Sequence, residues 1–248
     1  MITKVNFKMY MEKPMKTLIV AGPPSSGKTA VIMHAARRIQ AAGGAVAAVK
    51  FDTRSSLDPE MYMKKLGIPA IGGISGYLCP DHYFISNMEE AMDWGNTQKA
   101  GYLFIETAGL CLRCAPHIEG VFAVTIVDCL GGIQAPEKMG PMLALADAVV
   151  LTKGDLVSQA EREVILYGIR NVNPTGAVFP VNGLMGTGTL NLVRCIEDYP
   201  HADTLEGRKL RHDMPAAICS YCTGEQRIGR KYQSGSVEKL CLQTAVGI

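Results

Sequence analysis

The chain has 248 residues, 48% of them apolar, enough to bury one sizeable core, so one nucleotide-binding domain with appendages is the economical domain count. Its 25 basic and 23 acidic residues leave a formal charge of +2, which provides no global field for nucleic acid or anionic lipid. No stretch approaches 18 consecutive apolar residues, and the first residues carry no secretory apolar segment. A cytoplasmic protein with no membrane and no nucleic-acid partner is the expectation. In a reducing compartment the eight cysteines are poor material for a disulfide framework, so Cys111-Leu-Arg-Cys114 and Cys219-Ser-Tyr-Cys222 raise metal or redox chemistry instead.

In chain order, residues 1–15 read as an N-terminal extension and the first β-rich apolar run is Thr17 to Ala21. Gly22-Pro-Pro-Ser25-Ser26-Gly27-Lys28-Thr29 follows it, a full Walker A string, and a helical pattern runs from Lys28 to Ala42. A strand before and a helix after are the context this loop needs. Its backbone N–H groups surround phosphates, extending to Ala30, while the helix N-terminus adds its dipole. Lys28 reaches the terminal phosphates and Thr29 ligates Mg2+.

A second strand, Ala45 to Phe51, ends beside Asp52, which reads either as a group near the metal or its water or as a solvated strand-end carboxylate. The Gly-rich stretch from Gly67 to Pro80 reads as a loop-dominated insertion. A helical pattern covers Met88 to Gln98, and a third strand, Tyr102 to Ile105, leads into Glu106-Thr-Ala-Gly109. Glu106 supplies the carboxylate that holds Mg2+ through water, and Gly109 lets a backbone N–H approach the γ-phosphate.

Further strands are expected at Phe122 to Val127, Ala148 to Leu151 and Ala177 to Val181, with helices at Ser158 to Arg170 and Gly188 to Glu197. Such alternation predicts an α/β fold, doubly wound, with a mainly parallel sheet and helices on both faces, over residues 16–199. After Leu151 comes Thr152-Lys153-Gly154-Asp155, a variant of the guanine-selecting N-K-x-D motif with Thr at the Asn position. Asp155 would accept hydrogen bonds from guanine N1–H and its 2-amino group, which adenine lacks, while the Lys153 stem lies over the base. Asn182 and Gly183, between a strand and a helix, stand where a base-side loop belongs, although a plain glycine-rich connection accounts for each of them equally well. Residues 200–248 read as an appended tail carrying the second CxxC.

Together GPPSSGKTA, FD, IETAG, VDCLGG, TKGD and VNGLMGTG resemble the HypB, UreG and CobW group of GTPases, over about Thr17 to Glu197. GPPSSGKTA is similar to the UreG string GPVGSGKTA, and IETAG to the IESGG and IENVG segments of UreG and HypB. The resemblance implies a P-loop metallochaperone GTPase that binds GTP/GDP, dimerises with nucleotide and presents a transition metal to a client metalloenzyme or its accessory proteins. UreG carries Cys-Pro-His and HypB a Cys-His pair, where this chain has Cys79-Pro80-Asp81-His82. HypB also has a cysteine shortly after IENVG, a position that Cys111 and Cys114 bracket. Cys79, His82, Cys111 and Cys114 then form a ligand set of thiolates and imidazole suited to Ni2+ or Zn2+.

Three other readings stand beside that one. Cys219 and Cys222, roughly a hundred residues beyond the first CxxC, are read equally as a separate zinc or iron-sulfur site, a redox pair or ordinary thiols. A nucleotide-driven redox activator with a cluster held by a CxxC from each of two subunits would use the same P-loop. So would a small-molecule kinase, which needs an acceptor pocket and no guanine motif. Cys129, Cys195 and Cys241 are isolated and read as packing residues, as does Trp94.

Overall fold

The computed structural model describes residues 14–109, 117–200, 204–212, 225–233 and 238–240. Seven parallel strands form one sheet in the order β3-β2-β4-β1-β5-β6-β7. They are β1 (Lys16–Ala21), β2 (Val46–Asp52), β3 (Ala70–Ile74), β4 (Tyr102–Glu106), β5 (Phe122–Asp128), β6 (Ala148–Thr152) and β7 (Ala177–Val181). The helices are α1 (Lys28–Ala41), α2 (Asp58–Leu66), α3 (Pro80–Ser86), α4 (Met88–Thr97), α5 (Ala135–Met139), α6 (Pro141–Ala144), α7 (Gln159–Val172) and α8 (Thr189–Asp198). The doubly wound α/β expectation is met.

Strands buried on both faces read as continuous apolar runs because alternate side chains enter different cores. In β1, Leu18 and Val20 pack with α1, α2 and α8 residues such as Ile32, Tyr62 and Leu192. Ile19 enters a cluster with Phe84, Met88 and Trp94 of α3 and α4. Ala21 joins Met139, Leu143 and Ile165 of α5 to α7. Helix α7 starts at a capping box in which Ser158 and Glu161 satisfy each other's backbone donors.

The stretch from Gly67 to Pro80 is not the loop insertion expected of it. It contains β3, an edge strand paired to β2 from Ala48↔Ala70 to Asp52↔Ile74. Two glycines hide the strand pattern, and packing requires one of them: a Cβ on Gly73 would lie 2.8 Å from Leu240 and 2.9 Å from Phe51. The opposite edge, β7, tolerates Pro180 because the strand pairs on one side alone.

Beyond Pro200 the described residues lie against the domain. Leu205, Leu210, Ile228 and Leu240 are buried in the same cluster as Ile19 and Phe51. Arg211 makes a two-nitrogen contact with Asp147, and Arg230 reaches Glu90 and Asp93 along α4. Asn87 binds both the Glu238 carbonyl and the Leu240 N–H.

β1 sits between β4 and β5, so the chain order reverses beside it and a crevice opens at the carboxyl ends of these strands. In open α/β sheets ligands bind at such a point. Among the described residues no helix is long and apolar enough to cross a membrane.

Candidate nucleotide site

The loop 22–27 joins β1 to α1 at that crevice and lines a cavity of about 680 Å3 with Lys28, Thr29, Ala30, Asp52, Glu106 and Gly183. Lys28 donates to the carbonyls of Gly22 and Pro23, at 3.0 and 2.9 Å. Burial pushes its ammonium down to about 8, partly offset by Glu106. The buried Oγ of Ser26 has no hydrogen-bond partner among the described residues. An ammonium that, among the described residues, bonds carbonyls and not a carboxylate, an orphaned hydroxyl and the free donors of a helix N-terminus together suit an anionic ligand.

Gly109 is the second wall of this cradle. Its φ is +75°, and a Cβ there would lie 1.9 Å from the Gly22 carbonyl oxygen and 2.8 Å from Lys28 Nζ. Only glycine lets the loop after β4 press against the loop after β1.

On the β2 side, Glu106 is the hub. Its Oε1 accepts from Thr29 Oγ1 at 2.9 Å and from Lys50 Nζ at 2.7 Å, and its Oε2 accepts from the Tyr62 hydroxyl at 2.6 Å. Lys50 also lies 3.2 Å from Asp58 Oδ2. Burial alone would lower the Lys50 pKa, but Glu106 and Asp58 outweigh it and raise it. Burial, and then Glu106, push the Tyr62 phenol well above its usual value, which keeps it a donor. Asp52, half-buried, lines the cavity and accepts from the Thr53 N–H. Thr29, Glu106 and Asp52 offer the hard oxygen donors that Mg2+ takes, so the residues present fit that ion.

On the β6 side, Thr152 Oγ1 donates to the Ser26 carbonyl at 2.7 Å and Lys153 Nζ to the Ser25 carbonyl at 2.8 Å. Lys153 also pairs with Asp128 at the end of β5. Both Ser25 and Lys153 have positive φ, 59° and 55°. Such backbone costs of order 1–3 kcal/mol and is held here by the bond between the two. Asp155 is exposed and lines a neighbouring cavity of about 420 Å3 with Arg162 and Asn182, not the phosphate cavity. The Asn182 side-chain oxygen accepts from the N–H groups of Leu184 and Met185, each at 2.9 Å, so it shapes its own loop. The Gly183 carbonyl lies 3.0 Å from His34 Nε2.

Cys79 caps the start of α3 and is half-buried, and His82 is buried in that helix. Cys111 and Cys114 lie outside the described residues, as do Cys219, Cys222 and Cys241. Among the described residues no group of three or more His, Cys, Asp or Glu stands close enough to hold a metal. Cys129 and Trp94 are buried and Cys195 half-buried.

Sequence reasoning missed Lys50, Asp58, Tyr62 and Asp128. Lys50 carried a signal: a lone charge inside the apolar run Val46 to Phe51 is costly to bury unless paired. Tyr62 and Asp58 carried none, since α2 itself went unread.

Comparisons with known proteins agree with this geometry. Residues 16–180 match the family model described as CobW/HypB/UreG, nucleotide-binding domain. An uncharacterized protein of Methanocaldococcus jannaschii is 42% identical over 226 residues, 91% of this chain and 96% of that protein. HypB of Archaeoglobus fulgidus, a hydrogenase maturation factor, superposes with a TM-score of 0.61 at 22% identity, covering 74% of this chain and 89% of that one. HypB of Helicobacter pylori, solved in complex with nickel, gives 0.62 at 20% identity, covering 78% and 93%. With a Walker A loop at the switch point of a parallel sheet and a family model matching residues 16–180, from β1 into β7, this chain belongs to the CobW/HypB/UreG family of P-loop nucleotide-binding proteins.

Proposed function

We propose that the protein is a GTP-hydrolysing metallochaperone that delivers nickel, or a similar transition metal such as zinc, for maturation of a client metalloenzyme. The observation that carries the nucleotide half is the attachment of the TKGD loop to the P-loop. Thr152 and Lys153 bind the carbonyls of Ser26 and Ser25, which fixes the base-selecting segment relative to the phosphate cradle. Asp155, two residues on, is then the acceptor for guanine N1–H and the 2-amino group, and Gly183 closes the base side.

Lys28 binds the terminal phosphates, while Thr29, Glu106 and Asp52 hold Mg2+, which supplies charge neutralisation when bound. Water attacks the γ-phosphorus, the bond to the bridging oxygen breaks, and its electron pair stays on GDP. Among the described residues no His or carboxylate stands out as a general base, so slow hydrolysis quickened by a partner or by dimerisation is the expected behaviour. Cys79, His82, Cys111 and Cys114 carry the cargo ion. Support for nickel comes from the family and from the fold shared with a HypB solved in complex with nickel. Because Gly109 touches the P-loop and Cys111 and Cys114 follow it, loss of the γ-phosphate is felt next to the thiols.

Competition binding of GTP against ATP, with elemental analysis of the same preparation, tests both halves. GTP preference that Asp155→Asn erases, and nickel or zinc content that Cys111→Ala/Cys114→Ala lowers, are expected. Equal affinity for ATP rejects the guanine assignment; unchanged metal content removes the cargo role.

A further inference from the structure

Strand interiors rarely hold a lysine, and the one in β2 stands where the metal belongs. The register sets Lys50 opposite Glu106 of β4, so both side chains leave the same face of the sheet toward α1 and α2. The Lys50 side chain is 6% exposed, with its Nζ 2.7 Å from Glu106 Oε1 and 3.2 Å from Asp58 Oδ2. Thr29 Oγ1 contacts that same Glu106 oxygen at 2.9 Å. The carboxylate assigned to Mg2+ therefore already holds an ammonium, shared with Asp58 of α2.

An ammonium and a divalent cation cannot share one carboxylate oxygen without like-charge repulsion in a site of low dielectric. Lys50 has a flexible four-carbon stem, and it lines the same cavity as Lys28, Thr29 and Asp52. A triphosphate bound as proposed above, with Lys28 on its end, would bring a new anion into that cavity within the reach of Lys50.

We propose that Lys50 is a further catalytic residue of the nucleotide site: parked on Glu106 and Asp58 in the nucleotide-free protein, its ammonium moves to the terminal phosphate of a bound triphosphate, leaving Glu106 and Thr29 to the divalent cation. The inference rests on the nucleotide-hydrolase reading above. Lys28 and Lys50 then flank the terminal phosphoryl group. As the water oxygen bonds to phosphorus and the bridging bond breaks onto the diphosphate, both ammonium groups stabilise the equatorial oxygens, and the water protons leave with inorganic phosphate. A diphosphate offers nothing to draw Lys50 away, so the exchange also separates the two nucleotide states.

The test is calorimetric titration of the full chain with GMPPNP and with GDP, at a series of Mg2+ concentrations, for wild type, Lys50→Met and Lys50→Arg. Lys50→Met is expected to weaken GMPPNP about tenfold while leaving GDP within about twofold, and Lys50→Arg to restore most of the loss. The Mg2+ concentration needed for half-saturation with GMPPNP should fall in Lys50→Met, since a competitor for Glu106 is gone. Where that variant does not fold, Lys50→Met/Asp58→Asn removes the charge together with one of its partners and is read the same way. Equal losses for the two nucleotides, or an unchanged ratio between them, overturn the proposal. Wild type that binds neither nucleotide overturns the nucleotide reading and this inference with it; wild type that binds both, with a ratio indifferent to Lys50, overturns the inference alone.

Discussion

The two sides of the phosphate cradle are built from different chemistry. On the β6 side, a threonine hydroxyl and a lysine bond backbone carbonyls of the P-loop, Thr152 to Ser26 and Lys153 to Ser25, and one carboxylate, Asp128, pairs with that lysine. On the β2 side charges bond one another: buried Lys50 and Glu106 with half-buried Asp58, and with Tyr62 and Thr29 closing the shell. Bonds to main chain hold a loop in one place whatever the ligand. A cluster of paired charges responds to a new ion, because Lys50 and Glu106 each have more than one partner. The difference teaches that the β6 side is a frame tied to main chain and the β2 side is the part whose charges can re-pair when a new ion enters the cradle.

The largest effect expected from this contrast is that of Glu106→Gln. It keeps the shape but leaves Lys50 with Asp58 alone, and removal of one partner from a buried pair costs about 3–5 kcal/mol. Urea unfolding of the nucleotide-free protein measures it; a cost below about 1 kcal/mol would place Lys50 in solvent-like surroundings.

A buried group outside both sides supplies a reference. His117, fully buried and bonded through Nε2 to the Met142 carbonyl at 2.9 Å, is pushed down to about 4 by burial. Its folded pKa lies below the unfolded one, so between about pH 6.5 and pH 4 the unfolded chain takes up a proton that the folded chain refuses. Stability is then lost as pH falls through that window, by roughly 2–4 kcal/mol at its lower end. Unfolding free energies of wild type and His117→Gln at pH 7 and pH 4.5 test this: the variant should lose the extra slope, and identical slopes would refute the assignment.

Two smaller effects compare the sides directly. Tyr62→Phe removes a bond to a charged acceptor and should cost about 2 kcal/mol, whereas Thr152→Val removes a neutral bond and should cost about 1 kcal/mol. Thr152→Val should also lower GTP affinity severalfold without altering the Mg2+ dependence, and Tyr62→Phe should do the reverse. Binding isotherms at several Mg2+ concentrations check both, and equal responses would erase the contrast.

The loops that follow apolar strands were the legible part, on both sides of the cradle. The Walker A string, IETAG and TKGD each sit after an apolar run, and those runs became β1, β4 and β6 because a strand covered on both faces needs no alternation. β3 escaped notice because Gly72 and Gly73 break its apolar run, although Gly73 is glycine because Leu240 and Phe51 leave no room for a Cβ. α2 escaped with it, and so did Tyr62. The responsive side depends on side chains from β2, α2 and β4 meeting in space, which no local spacing encodes. Asp155 shows the same limit from the other direction: the motif singles it out as a candidate, but its place in a cavity beside the phosphate cavity is a matter of tertiary packing.

Direct titration of the purified full chain with GTP in the presence of Mg2+ tests the central claim. The account predicts saturable binding of one nucleotide per chain, abolished by Lys28→Ala; absence of heat with GTP and with ATP alike would contradict it.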